Sequence, residues 1–227
     1  MKYLFVVAHP DDEVLGAGGM IYDLIQKKNE VFICFMCSDA EARTNVLNKA
    51  TIREQAINSL NVLGVSEENL MFGTFPNIKL NIVDHLSLVQ FIETAIKTFK
   101  PDVVITHYGK DINVDHKITS ECSDEAIRLF QRGDYGIDIQ KYMYMEVLSS
   151  TDWMINQAFS PNYFYEINEI GLDIKIKALS KYDGALREYP HPRSKESIIS
   201  LATYRGSQMK LNYAESFVVA FERDKNE

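Results

Sequence analysis

The sequence predicts a single α/β domain with a Rossmann-like, doubly wound and mostly parallel sheet that helices cover on both faces. Short, continuous apolar runs recur along the chain, which is typical of strands buried on both faces of a parallel sheet. Longer segments of helical character separate these runs. The 227 residues contain no internal repeat and no linker rich in proline, glycine or serine, so we expect one domain over residues 1–227.

The first half of the chain alternates between strands and helices. Strands are predicted over Lys2–Ala8, Glu30–Cys37, Leu70–Phe72 and Asp102–Thr106. Helices are predicted over Glu13–Lys28, Ala42–Leu63 and Val83–Phe99, and Gly64 ends the second of them. This alternation indicates crossover connections between parallel strands.

The second half begins with a polar loop after Thr106 and ends with a closing strand. Helices are predicted over Asp115–Arg132, Asn168–Tyr182 and Ser194–Lys210. Strands are predicted over Lys141–Leu148, Phe164–Ile167 and Ala214–Glu222.

The composition argues against several classes of partner. The formal net charge is −8 and the Lys and Arg residues are scattered, so the chain lacks the basic stripe that nucleic acid binding needs. The sequence contains no run of 18 apolar residues, which is the length needed to span a bilayer. The apolar N-terminus continues into HPDDE without a small-residue cleavage site. We therefore expect a cytoplasmic protein that acts on a small molecule, and we leave a homo-oligomer open.

The three cysteines are an odd number, which argues against a disulfide framework. Cys34 and Cys37 form a CxxC inside the apolar run VFICFMCS. The alternatives for these two cysteines are a redox pair, half of a zinc site, or packing in a buried strand. Because no second CxxC or His pair follows at zinc-site spacing, we favour packing.

The stretch FVVAHPDDEVLGAGG places one imidazole and three carboxylates where the first strand ends. Ligands of doubly wound sheets bind at the carboxyl ends of strands, so a site is expected at this edge. Capping of the following helix explains one or two of the acids, at about 0.5–2 kcal/mol each, but not His9. A dinucleotide fingerprint is rejected because GAGG lacks the GxGxxG spacing and falls inside the predicted helix.

A metal site explains this stretch better than either alternative. His9 and Asp12 flank a turn forced by Pro10 and can converge on one cation, and imidazole with carboxylate suits Zn²⁺ or Fe²⁺. A third ligand must come from another strand end, and the loop THYGKDINVDHKIT offers it. The candidates in this loop are His107, Asp111, Asp115 and His116.

The pairing of AHPDDE near the N-terminus with DINVDH at residues 111–116 resembles the PIG-L/LmbE-like deacetylases. These are zinc-dependent enzymes that remove an acyl group from an amino sugar. The resemblance extends across most of the chain. Its further segments are Arg53-Glu54-Gln55-Ala56, Leu63-Gly64-Val65, Glu146-Val147, Phe159 to Asn162, Arg205-Gly206 and Tyr213-Ala214-Glu215.

The resemblance implies a metal centre formed by His9, Asp12 and His116, with one Zn²⁺ per chain. Two imidazoles and one carboxylate leave open coordination positions, as a catalytic zinc requires. The resemblance also implies that Asp11, the first Asp of the DD pair, is the general base. One carboxylate would then hold the metal while its neighbour takes a proton from the activated water.

Two more residues of the DINVDH motif are candidates for catalysis. For Asp115, an orienting role toward a ligating His and a role as helix N-cap are about equally favoured. Asn113 stands where the best-known members of the family have His. An amide can donate a hydrogen bond to an oxyanion but cannot supply a proton, which leaves Asp11 or a distant residue such as His191 as the general acid.

Substrate contacts are expected from Arg53, His191 and Arg193. A guanidinium suits a sugar hydroxyl, a phosphate or a carboxylate, whereas surface ion pairing is the alternative for Arg53. The function predicted is N-deacetylation of an N-acetylglucosamine-type sugar, glycoside or nucleotide sugar. The alternatives are a nucleotide-sugar or dinucleotide-binding Rossmann-type protein and a non-catalytic metal-binding protein.

Overall fold

The computed structural model describes residues 1–38 and 49–224, and seven strands in these residues form one sheet. The strands are β1 Lys2–Val7, β2 Glu30–Phe35, β3 Leu70–Phe72, β4 Val103–His107, β5 Lys141–Met145, β6 Tyr163–Ile167 and β7 Tyr213–Glu222. Their order in the sheet is β3-β2-β1-β4-β5-β7-β6. The first five strands pair in parallel and β7 runs antiparallel to β5 and β6, which confirms the mostly parallel sheet predicted from the sequence.

Helices cover both faces of the sheet, as predicted for a doubly wound fold. They are α1 Asp12–Gln26, α2 Lys49–Leu63, α3 His85–Phe99, α4 Val114–Arg132, α5 Glu169–Leu179 and α6 Lys195–Ser207. Helices α1, α2, α5 and α6 pack on one face around a core that includes Phe5 and Ile33. Helices α3 and α4 pack on the other face around Leu4 and Val104, so alternate residues of β1 face opposite cores. No helix in the described ranges is both long and apolar enough to cross a membrane.

Most predicted elements are present, with shifted ends. The predicted start of the second helix, residues 42–48, lies outside the described residues. Asn168 and Ser194 are not the first helical residues but N-caps, whose side chains accept hydrogen bonds from backbone N–H groups of the first turn. Strand β5 ends before the predicted Leu148, because the chain turns there and Ser150 N–H bonds the Val147 carbonyl.

The chain leaves the adjacent strands β1 and β4 toward opposite faces of the sheet. After β1 it enters α1 on one face, and after β4 it enters α4 on the other. Such a switch point opens a crevice at the carboxyl ends of the strands, which is where ligands of this fold class bind. The HPDDE turn follows β1 and the DINVDH loop follows β4, so both predicted motifs lie at this crevice.

Helix α1, which begins with the predicted ligand Asp12, is broken at Ala17, where φ is −145° and ψ is 19°. A buried ion pair satisfies the backbone groups on both sides of the break, with Lys175 Nζ 2.7 Å from Glu215 Oε1. Lys175 donates to a carbonyl before the break and Glu215 accepts from two N–H groups after it. These backbone partners are Leu15, Gly19 and Met20.

The GAGG segment lies inside α1, as predicted, and serves packing. A Cβ on Gly16 would come within 2.5 Å of the Met145 sulfur and 3.1 Å of the Glu146 carbonyl oxygen. Glycine is therefore required where the helix crosses the end of β5, and not for the approach of a pyrophosphate.

Candidate metal centre

The three predicted metal ligands converge at the ends of β1 and β4. Asp12 Oδ2 lies 3.2 Å from His9 Nδ1 and 3.3 Å from His116 Nε2. Asp12 and His116 are buried, whereas the His9 side chain is 15% exposed. Donor atoms around a tetrahedral zinc ion lie about 3.3–3.4 Å apart when its bonds are ~2.0–2.1 Å long. The two distances to Asp12 therefore fit a zinc ion, and ligand atoms of all three residues lie within 4.8 Å of one another.

The HPDDE turn separates the two adjacent Asp side chains. His9 N–H donates to Asp12 Oδ2 at 2.9 Å, which holds Asp12 against the histidines. Asp11 has a φ of 112°, in the left-handed region that costs a non-glycine residue about 1–3 kcal/mol. From this position its carboxylate pairs with Arg193, whose Nη1 lies 2.9 Å from Asp11 Oδ2. One carboxylate thus faces the metal ligands while its neighbour has a separate partner.

Each predicted His ligand has a carboxylate on its other ring nitrogen. His9 Nε2 lies 3.0 Å from Asp115 Oδ2, and His116 Nδ1 lies 3.1 Å from Asp111 Oδ2. Metal-bound histidines usually have such a partner, which fixes the tautomer and the orientation of the ring. For Asp115, the geometry favours the orienting role over capping, because the N-cap of α4 is Asn113.

Asp111, one of the four candidates for the third metal ligand, is instead the carboxylate partner of the ligand His116. Its carboxylate is fully buried and accepts hydrogen bonds from the hydroxyls of Ser150 and Thr151, the latter at 2.7 Å. The sequence signal for Asp111 was its place in the DINVDH motif. Its two hydroxyl partners come from the loop after β5 and follow only from the fold.

Asn113 shapes the turn that presents His116. Its Oδ1 accepts from Asp115 N–H at 2.9 Å, and its own N–H donates to Asp111 Oδ1 at 2.8 Å. Asn113 is therefore the cap of α4 in this structure. Its hydrogen bond to an oxyanion stays a prediction.

Asp115 is fixed by a second loop and has a thiol beside it. Its oxygens accept from the backbone N–H groups of Ile78 and Leu80, the latter at 3.0 Å. The Cys37 sulfur lies 3.9 Å from Asp115 Oδ2, so the prediction that this cysteine only packs in a strand was incomplete. Packing is confirmed for Cys34, which is fully buried in the core beneath α3 and α4.

The charges of the ligand side chains depend strongly on one another. Burial alone would lower the pKa of His116, but Asp12 and Asp111 raise it to about 10. Burial alone would raise the pKa of the Asp12 carboxyl, but His116 and then His9 hold it well below its usual range. A cation that binds between Asp12 and His116 therefore displaces a proton.

Two other titratable residues lie behind the ligands. The His107 ring stacks on His116 with centroids 4.0 Å apart, and its Nε2 accepts from Ala8 N–H at 2.8 Å. Burial, followed by His116, lowers the pKa of His107 to about 3, so the ring is a neutral wall of the site. Glu13 accepts from the Tyr182 hydroxyl at 2.5 Å, and burial raises the pKa of its carboxyl to about 8.

The three predicted substrate contacts lie in different surroundings. Arg193 reaches the centre through its pair with Asp11. Arg53 is exposed on α2, with its guanidinium 4.6 Å from the centroid of the Phe72 ring. His191 is exposed in the loop before α6, and its Nδ1 accepts from Arg193 N–H at 3.0 Å. Their contacts with a substrate stay predictions.

The chain matches a known family model and a bacterial relative. The model, described as PIG-L: GlcNAc-PI de-N-acetylase, matches residues 4–127, a span that contains both the HPDDE turn and the DINVDH motif. The relative is the probable N-acetyl-alpha-D-glucosaminyl L-malate deacetylase 2 of Bacillus subtilis (strain 168). It is 25% identical over 208 residues, which cover 82% of this chain and 85% of the relative.

Two solved structures show the same fold. GalB, the 4-carboxy-2-hydroxymuconate hydratase of Pseudomonas putida KT2440, matches with a TM-score of 0.78 and 22% identity over 100% of this chain and 99% of its own. The N,N'-diacetylchitobiose deacetylase of Pyrococcus horikoshii matches with a TM-score of 0.74 and 18% identity over 96% and 83%. The fold is therefore found with a hydratase and with a deacetylase, so the reaction must be argued from the site.

Proposed function

The chain belongs to the PIG-L family, and from this premise and the geometry of its site we propose that it is a metal-dependent N-deacetylase. The substrate proposed is an N-acetylglucosamine-type sugar, glycoside or nucleotide sugar. The observation that carries the proposal is the position of Asp12 Oδ2 between His9 Nδ1 and His116 Nε2, with Asp11 as the adjacent carboxylate. Three protein ligands leave a coordination position open, and a structural metal site would have no use for an adjacent base.

His9, Asp12 and His116 would hold one metal ion per chain, with Zn²⁺ proposed and Fe²⁺ as the alternative. When bound, such an ion lowers the pKa of water and polarises an amide carbonyl as a Lewis acid. Asp11 accepts the proton of the attacking water and returns it to the leaving amine, so that amide and water become carboxylate and amine. Asp115 and Asp111 keep the two imidazoles oriented during these steps.

The proposed substrate class is supported by the family description and by the relative in Bacillus subtilis, whose name specifies an N-acetylglucosaminyl malate. The exposed side chains of Arg53 and His191 are proposed to contact the sugar or its aglycone. A cytoplasmic location, a single domain over residues 1–227 and the lack of a nucleic acid partner remain part of the proposal.

Hydration, the reaction named for GalB, is the competing use of this fold. Deacetylation is preferred because the family description is that of a de-N-acetylase and the span it matches contains all three ligands and Asp11. A dinucleotide-binding protein is disfavoured because the GAGG glycines lie within α1, where Gly16 packs against Met145.

The test measures bound metal and amine release together. Protein purified without chelator is offered N-acetylglucosamine and several of its glycosides, beside Asp11→Asn and the exposed control Asp173→Asn. We expect one zinc per chain in all three proteins and a rate about 10²–10⁴-fold lower for Asp11→Asn alone. Absence of bound metal, with no amine release after Zn²⁺ or Fe²⁺ is added, would refute the proposal.

A further inference from the structure

The second ring nitrogen of His9 belongs to another group of metal-ligating atoms. Ligand atoms of His9, Cys37 and Asp115, one from each residue, lie within 4.8 Å of one another. Asp115 Oδ2 is 3.0 Å from Nε2 and 3.9 Å from the sulfur. Around a tetrahedral zinc ion with bonds of ~2.0–2.3 Å, such donors lie about 3.3–3.6 Å apart. Shifts of at most about 1.2 Å would bring all three donors onto one ion.

We propose that His9, Cys37 and Asp115 form a second cation site, which takes a borderline-soft divalent cation such as Zn²⁺ and thereby inhibits the enzyme. Imidazole, thiolate and carboxylate are the three ligand types that zinc prefers. Cys37 and Asp115 are only 1% and 0% exposed, so the site is enclosed, and the partly exposed His9 forms its outer edge.

The carboxylate of this site is already fixed as a ligand would be. Asp115 accepts from the backbone N–H groups of Ile78 and Leu80, which hold its carboxylate in place. Ligating carboxylates are typically hydrogen-bonded in this way. The carboxylate thus needs little rearrangement to bind a cation.

The inhibitory effect rests on the proposed function, whereas cation binding does not. A neutral imidazole has one lone pair, so when Nδ1 of His9 holds the catalytic metal, Nε2 carries the proton that it donates to Asp115. A cation at the second site replaces this proton and the proton of the Cys37 thiol, and both leave to solvent. Two dications then share one ring and repel each other, and Asp115 no longer orients His9 toward Asp12.

Cobalt reports the site directly, because a thiolate ligand gives Co²⁺ an intense near-ultraviolet charge-transfer band. Metal-free protein is titrated with Co²⁺, beside Cys37→Ser and Cys122→Ser. Cys122 is a suitable control because it also lies beside a histidine, with its sulfur 3.8 Å from His85 Nδ1. We expect the band to grow with the second equivalent in the wild type, to persist in Cys122→Ser and to be absent from Cys37→Ser.

Amine release gives the second readout. In the wild type, a second equivalent of Zn²⁺ should lower the rate about 10-fold or more, and this loss should be missing in Cys37→Ser. The proposed site is refuted if wild-type protein shows no thiolate band even after more than two equivalents of Co²⁺ have been added, or if Cys37→Ser still shows the band. A band without any loss of rate would overturn the inhibition. The cobalt titration needs no substrate, so its outcome stands even where the deacetylase proposal fails.

Discussion

Arg193 is turned toward Asp11, with its Nη1 2.9 Å from Asp11 Oδ2 and both side chains largely buried. Its Nε is also buried, and none of the described residues accepts a hydrogen bond from it. The guanidinium therefore faces the proposed base and not the solvent. This arrangement favours a role for Arg193 in positioning Asp11, and the direct substrate contact predicted from the sequence stays a prediction.

Removal of this pair should affect turnover more than substrate affinity. We expect Arg193→Ala to lower kcat about 10- to 100-fold with little change in KM, because Asp11 loses its orientation while the substrate keeps its contacts. Arg193→Lys should recover part of the rate, and zinc content should stay the same. Steady-state kinetics of amine release measures both constants. A large rise in KM at unchanged kcat would instead support substrate binding by Arg193.

Asp111 should control the affinity for metal. Asp111→Asn removes the charge that stabilises the His116 ring in its ligating orientation, so we expect zinc affinity to fall about 10- to 100-fold. Competition with a chromogenic chelator measures this affinity, and Asp173→Asn on the surface of α5 is the matched control. Equal affinities for the two variants would mean that Asp111 does not support the metal.

The stability of the protein should fall at alkaline pH. The hydroxyls of Tyr142 and Tyr144 both donate to Asp124 Oδ1 at 2.7 Å. Burial raises the pKa of both phenols, and the nearby Asp124 carboxylate raises it further. In the unfolded chain they ionise near pH ~10. Below that pH their contribution is fully present, and above it the folded state binds more protons than the unfolded state, so the free energy of unfolding falls.

Urea unfolding at a series of pH values above neutrality measures this loss. In Tyr144→Phe, the slope above pH ~10 should be shallower by about 1.4 kcal/mol per pH unit, since one titrating group is gone. Identical slopes in the wild type and in Tyr144→Phe would contradict the role assigned to Tyr144.

Much of the fold could be predicted from the sequence because hydrophobic pattern decides it locally. Continuous apolar runs such as Phe5–Ala8 must be buried on both faces, and this requires helices on both sides of a parallel sheet. The ends of elements were less certain, because caps such as Ser194 and turns such as that after Met145 depend on single hydrogen bonds.

The predicted ligands His9, Asp12 and His116 lie together because each directly follows the end of a strand or opens the helix after it. The partners that orient them were harder to predict, since they come from distant loops. Ser150 reaches Asp111 from the loop after β5, and the approach of Cys37 to Asp115 depends on how two strand ends are juxtaposed. Such contacts are set by three-dimensional packing and leave no periodic signal in the sequence.

The broken helix α1 links stability to the metal centre, because it starts with Asp12 and depends on Lys175 and Glu215 at its break. We expect Lys175→Met to lower the free energy of unfolding by about 3–5 kcal/mol, since Glu215 would remain as a buried and uncompensated charge. Denaturant unfolding measures this change. Lys97→Met is the control: its ammonium lies 3.6 Å from Glu93 on the exposed face of α3, where a pair is worth at most about 1 kcal/mol. If Lys175→Met and Lys97→Met had the same free energy of unfolding, the break in α1 would not depend on the buried pair. Another interaction would then have to stabilise the helix that begins with Asp12.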